Sequence, residues 1–237
     1  ISWPLVLIPI VGLIVGVIYA YVVQHKMHEL SETTYRAAAL RNASLNVGYT
    51  ELRSPIDGIA AYDQAVQKLL FGAESPLLAA GRVVTTQSVG GTGALKIGAD
   101  FLKQLRPDAV VAISDPSWEN HRAIFQNAGF EVGNYRYYAA ATRSIDFDGM
   151  LADLKAAAPG TIVVLHACCH NPTGYDITPA QWDQVIAVVK AKNLTPFLDM
   201  AYQGFGHGIA EDGAVIQKFV AAGLNFFVST SFSKSFS

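Results

Sequence analysis

From Pro55 to Ser237 short apolar runs alternate with amphipathic stretches, and this rhythm constrains the fold more than any other feature of the sequence. It predicts an α/β domain of βα units around a mostly parallel sheet with helices on both faces. A strand covered from both sides is apolar throughout, while a helix between two strands is apolar along one side. The expected strands are Arg82 to Val89, Ala109 to Ser114, Glu131 to Tyr137, Thr161 to His166, Thr195 to Leu198 and Asn225 to Ser229. Asp57 can cap a helix with the apolar face Ile59, Tyr62, Val66 and Leu69, ended by Gly72. Gly90-Gly91-Thr92-Gly93 opens another that carries Leu95, Leu102 and Leu105. Further helices are expected after Trp118 as far as Ala128, from Asp146 to Ala157, and from the Thr178-Pro179 start to Lys192. No internal repeat, low-complexity tract or heptad interrupts the pattern.

The residues before Pro55 follow a different pattern. Pro4 to Val23 is an uncharged run of 20, of which 16 are hydrophobic. As a helix it would be about 30 Å long, the thickness of a bilayer's hydrocarbon core. It exceeds the h-region of a cleaved signal peptide, so residues 1–28 are expected to form a transmembrane helix, with a buried helix or a stretch foreign to the rest as alternatives. Lys26, Arg36 and Arg41 follow the run, which would place the remainder in the cytoplasm. Residues 29–54 read as a connector without site chemistry and residues 55–237 as a separate folded domain, and since the chain opens on Ile1 and stops at Ser237 it reads as a fragment. Only 15% of the side chains are charged, and the net charge is −2. That excludes a disordered chain and a nucleic-acid binder working through a basic surface. Cys168 and Cys169 are adjacent, cannot staple distant segments, and are expected to be free thiols in a reducing compartment.

In a sheet of this kind ligands bind beyond the carboxyl ends of the strands, where the unusual residues of this chain gather. Gly91 and Thr92 follow an expected strand and open a helix, which offers N–H groups and a positive dipole end to an anion such as phosphate. Asp199 follows an apolar strand and precedes a glycine-rich loop containing Tyr202. A carboxylate there calls for a cation or a protonated ring nitrogen. Lys234 lies among hydroxyls that include Ser231, and the nearby Phe226, Phe227, Phe232 and Phe236 predict a half-buried amine able to form a Schiff base. Trp118 supplies an aromatic face and Asn171 an amide. His166, Cys168 and His170 lack the paired partners of a structural zinc site and read as core or supporting side chains; no metal is expected. His121 is either a partner of Asp199 or an ordinary helix residue.

Six ordered runs carry a family resemblance: Pro-Ile-Asp-Gly (55–58), Gly-Gly-Thr-Gly-Ala-Leu (90–95), Asp-Pro-Ser-Trp-Glu-Asn-His (115–121), His-Ala-Cys-Cys-His-Asn-Pro-Thr-Gly (166–174), Asp-Met-Ala-Tyr-Gln-Gly-Phe (199–205) and Ser-Phe-Ser-Lys (231–234). From Pro55 onward the chain resembles class I pyridoxal-phosphate (PLP) aminotransferases of the aspartate and aromatic amino acid branch. The resemblance implies the large domain of fold type I PLP-dependent transferases, here incomplete. It also implies that Lys234 holds the cofactor and moves a proton, and that Asp199 partners the pyridinium nitrogen, with His121 behind it. Tyr202 and Asn171 would bond the 3′ oxygen, Trp118 would lie against the ring, and Gly91, Thr92 and Ser231 would hold the phosphate. The implied reaction moves an amino group between an aromatic or dicarboxylic L-amino acid and 2-oxoglutarate, in a homodimer.

The departures from the family are local. Arg53 stands where the family has a tyrosine that reaches phosphate across the dimer interface, and the family's N-terminal arm is not recognisable in residues 1–54. The chain stops before the arginines that in the family bind phosphate and the substrate carboxylate, so by itself it is expected to be inactive. A membrane-anchored, inactive scaffold is the alternative these features suggest, and an N-terminus joined from another reading frame would account for the first 54 residues.

Overall fold

The computed structural model describes residues 57–235. Residues 4–23 and Arg53, on which the membrane anchor and the altered interface depend, lie outside them, as does Phe236. Among the described residues no helix is long and apolar enough to cross a membrane.

Five strands form one parallel sheet: β1 (Val110–Asp115), β2 (Glu131–Arg136), β5 (Ile162–His166), β6 (Thr195–Met200) and β7 (Phe227–Thr230), in the order β2-β1-β5-β6-β7. β3 (Tyr138–Ala139) and β4 (Ser144–Ile145) pair as a small antiparallel hairpin. The connecting helices are α1 (Asp57–Phe71), α2 (Pro76–Ala79), α3 (Gly90–Leu105), α4 (Glu119–Asn127), α5 (Phe147–Ala156), α6 (Pro179–Ala191) and α7 (Ile209–Ala221).

Strand alternation sorts the core into two layers. Val111, Ile113, Ile162, Val164 and Phe197 face α3 and α4, packing on Leu95, Leu102, Ile124 and Phe125. Val163, Leu165, Leu198 and Met200 face the opposite layer, with Met150, Val185 and Phe219 of α5, α6 and α7. α3 sits close on β6 because Gly98 has no side chain: a Cβ there would stand 2.6 Å from the Phe197 ring. The Thr178 signal is realised as a capping box, the Gln181 N–H donating to Thr178 Oγ1 at 3.2 Å and the Thr178 N–H to Gln181 Oε1 at 2.7 Å.

Four expectations need correction. Arg82 to Val89 is not a strand. Its β-branched residues favour extended backbone, but a strand also needs a ladder partner. This segment instead lies across a groove of about 580 Å³ from β7, tied by Gln67 Nε2–H to Thr85 Oγ1 at 2.8 Å. In α1 the buried stripe is Asp63, Val66 and Leu70, while Tyr62 and Leu69 are 41% and 39% exposed; the Ile59 side chain lies outside the described residues. In α3 Leu95, Ala99 and Leu102 are buried, whereas Leu105, on the last turn, is 58% exposed. Lys234 is exposed rather than half-buried. The chain turns after β7, with Ser235 N–H bonded to Phe232 O at 3.0 Å. The phenylalanines pack elsewhere, Phe226 on Phe71 and Phe219, Phe227 on Phe101 and Phe197, and Phe232 against Tyr62. The sequence reading had also passed over α2, the β3–β4 hairpin and α7, whose apolar stripe of Val215, Ile216 and Phe219 follows a glycine-rich loop and begins beside Asp212 and Gly213.

Candidate active site

All five strands of the sheet run the same way, so their carboxyl ends meet along one edge. The order reverses between β1 and β5, the point at which sheets of this kind bind ligands. Asp199 shares a face with Phe197 by alternation, and therefore points toward α4, which presents His121. His121 is fully buried and Asp199 is 6% exposed. His121 Nε2–H donates to Asp199 Oδ2 at 2.7 Å, and Nδ1 lies 2.8 Å from the Ser117 hydroxyl. Trp118 meets the same imidazole edge-on at 5.4 Å between centroids. Of the two readings of His121, the geometry matches the one in which it is bonded to Asp199. Ser117, one turn earlier, is a supporting residue that sequence reasoning missed.

Behind this pair lies a stack of rings. His166, in register with Asp199, lies 4.8 Å from the His121 ring and 4.2 Å from His170. His170 in turn stacks on Tyr137 at 3.9 Å. Its Nε2 is 2.9 Å from Ser114 Oγ and its Nδ1 is 2.9 Å from Thr173 Oγ1. The turn that carries Asn171 is thus pinned through the residue before it. Burial, reinforced by His170 and His121, holds His166 well below the ordinary imidazole range, and burial, reinforced by His121, takes His170 down to about 4.

These shifts set an acid limit. The unfolded chain protonates both imidazoles near pH 6.5 while the folded chain does not, so stability falls as pH drops below that value. Each ring contributes a slope of up to about 1.4 kcal/mol per pH unit. Urea midpoints should therefore decline from pH 6.5 to 5, above the main carboxylate range. A flat profile there contradicts neutral burial.

The anion cradle forms at the start of α3. Val89 at the N-cap has no side-chain group to satisfy the first-turn N–H donors. Gly91 is half-buried and Thr92 exposed. The Ser229 hydroxyl donates to Gly91 O at 3.3 Å, and a Cβ on Gly91 would lie 3.2 Å from Ser231 Cβ, so the cradle depends on the missing side chain. Ser231 Oγ–H reaches Ser233 Oγ at 3.2 Å. Lys234 Nζ sits 4.3 Å from the centroid of the Tyr202 ring. Asn171 and Trp118 are half-buried after β5 and β1.

Among the described residues, two clusters bring metal-type ligand atoms within 4.8 Å of one another: His121, His166 and Asp199, and Cys168, Cys169 and Asp212. In the first, Asp199 is bonded to His121. In the second, Asp212 accepts three main-chain N–H bonds, and burial, with the neighbouring carboxylates, pushes both thiols up. A buried carboxylate held by an imidazole, a hydroxyl-lined N–H cradle, an aromatic wall and a lysine do fit a planar aromatic cofactor carrying a phosphate.

Fold and site together define a domain that holds such a cofactor at the carboxyl edge of a parallel sheet. An aminotransferase class I and II family model matches residues 26–237. The aspartate aminotransferase of Pseudomonas aeruginosa is 69% identical over 183 residues, which are 77% of this chain and 46% of that protein. For the aromatic-amino-acid aminotransferase of Escherichia coli the identity is 54% over 183 residues, again 77% and 46% of the two chains. A solved structure of the aromatic-amino-acid aminotransferase from Burkholderia pseudomallei, covalently bound to pyridoxal phosphate, matches with a TM-score of 0.75 and 64% identity, covering 86% of this chain and 50% of that one. The chain belongs to the aminotransferase class I and II family. It spans about half the length of the relatives it matches.

Proposed function

We propose that the chain is the PLP-binding part of an aminotransferase that moves amino groups between an aromatic or dicarboxylic L-amino acid and 2-oxoglutarate. The observation that carries this reading is the buried Asp199–His121 pair on the strand edge that also bears Lys234 and the Gly91–Ser231 cradle. Bound PLP would supply an electron sink for the substrate's Cα. Asp199 would keep a positive charge on the ring nitrogen, with His121 holding the carboxylate in place. Gly91, Thr92 and Ser231 would bind the phosphate through N–H and O–H donors. Tyr202 and Asn171 would orient the ring through its 3′ oxygen, and Trp118 would cover one side and exclude water. Lys234 would hold the cofactor and carry the proton. A homodimer in the cytoplasm belongs to the same proposal, and the free Cys168 and Cys169 support the compartment.

The test is an amino-donor series with 2-oxoglutarate, followed by glutamate formation in the PLP-loaded full-length protein of which this chain would be the cofactor-binding part. L-phenylalanine, L-tyrosine and L-aspartate are the expected donors. The aromatic ones should exceed L-alanine in kcat/KM by about tenfold or more, the size that burial of an aromatic side chain gives. Absence of transfer from all of them, with PLP bound, overturns the assignment.

A further inference from the structure

Tyr202 stands on a loop that cannot hold one shape by itself. The segment from Ala201 to Gly208 contains glycines at 204, 206 and 208, with φ of +94° at Gly204 and +143° at Gly208, and Phe205 is 56% exposed. What gathers it is a side chain from α7. Asp212 is 6% exposed, and its Oδ2 accepts the N–H of Gly204 at 2.8 Å and of Gly206 at 3.0 Å, while Oδ1 accepts the N–H of His207 at 2.9 Å. Successive main-chain N–H groups curled around one anion form a rigid concavity. Two further ties close the segment at its ends: Gln203 Nε2–H to Ile209 O at 2.9 Å and the Cys169 thiol to Tyr202 O at 3.8 Å.

We propose that Asp212 is a positioning residue of the active site: its carboxylate fixes the 201–208 loop and thereby keeps the Tyr202 ring against Lys234 and the cofactor. The proposal rests on the assignment of Tyr202 and Lys234 to the PLP site. Burial alone would raise the Asp212 carboxyl, but the bonds from His207, Gly206 and Gly204 outweigh it and hold the group below the usual carboxylate range. The latch is therefore anionic at neutral pH.

Asp212→Asn retains the size of the side chain but turns an NH2 donor toward a loop that offers N–H donors. In the PLP-loaded protein its Kd for PLP, read from the visible absorbance, should rise about tenfold, as for a lost hydrogen bond to a charged group. Gly206→Ala tests the latch from the other side with the carboxylate intact, since its Cβ would stand 2.8 Å from Asp212 Oδ1, and should weaken PLP in the same direction. Combined with Tyr202→Ala, Asp212→Asn should add less than twofold, because the group it positions is gone. If Tyr202→Ala by itself leaves the Kd unchanged, the assignment of Tyr202 is wrong and the proposal falls with it. If Tyr202→Ala weakens PLP and Asp212→Asn still multiplies that effect in full, Asp212 acts on the fold at large and the positioning role is refuted.

Discussion

Substituting Lys234 with alanine in the full-length protein is expected to remove the visible absorbance of covalently held PLP and to lower amino transfer by at least about 10⁴-fold. Positioned proton transfer alone contributes up to about that factor, and loss of the covalent attachment adds to it. Other lysines are engaged elsewhere: Lys96 with Asp100, Lys103 with Pro107 O, Lys190 with Ala222 O and Lys218 with Asp183. Lys234 follows β7 at the carboxyl edge and lies over the Tyr202 ring. PLP should still bind to the variant through the cradle at Gly91 and Ser231, so the absorbance changes while the phosphate contacts persist. A Lys234→Ala protein with ordinary turnover would falsify the assignment.

Asp199→Asn should be the second largest effect. The substitution leaves the shape of the side chain intact, and an amide can still accept from His121 Nε2–H. It carries no charge, so it cannot keep a ring nitrogen positive in a site walled by Trp118, His121 and His166. Removing one partner from a buried ionic arrangement costs about 3–5 kcal/mol, which is roughly 10² to 10³ or more in rate. The expected result is a fall in kcat of that size with PLP still attached and the unfolding midpoint little changed. Turnover within threefold of the parent would show that Asp199 is a structural acid only.

Several residues named from the sequence gather along one edge because a parallel sheet brings the carboxyl ends of its strands together there. Asp199 lies near the end of β6, Lys234 in the turn after β7 and Asn171 in the turn after β5, while Gly91 is marked by the glycines that open α3. The errors have a common cause. Arg82 to Val89 has strand propensity, yet strand structure is a property of a pair, and the segment has no ladder partner. Tyr62, Leu69 and Leu105 satisfy helical spacing, but which of several overlapping stripes is buried depends on where the helix meets the sheet. Lys234 is exposed because the phenylalanines near it in sequence turn toward other rings.

The supporting groups show the same division. Asp212 lies in an ordinary-looking helical start, and nothing in its local sequence distinguishes it from Glu211, which is exposed. Its role comes from a loop that folds back over the first turn of α7. His121 could not be told from a surface helix residue until β6 brought Asp199 to it, 78 positions along the chain. The sequence by itself determined the α/β class, the family and the identity of the groups at the strand ends, because periodicity and short motifs are local. The pairing of His121 with Asp199, the ring stack from Tyr137 to His121 and the Asp212 latch were decided only by the tertiary structure, since each joins separate elements through space.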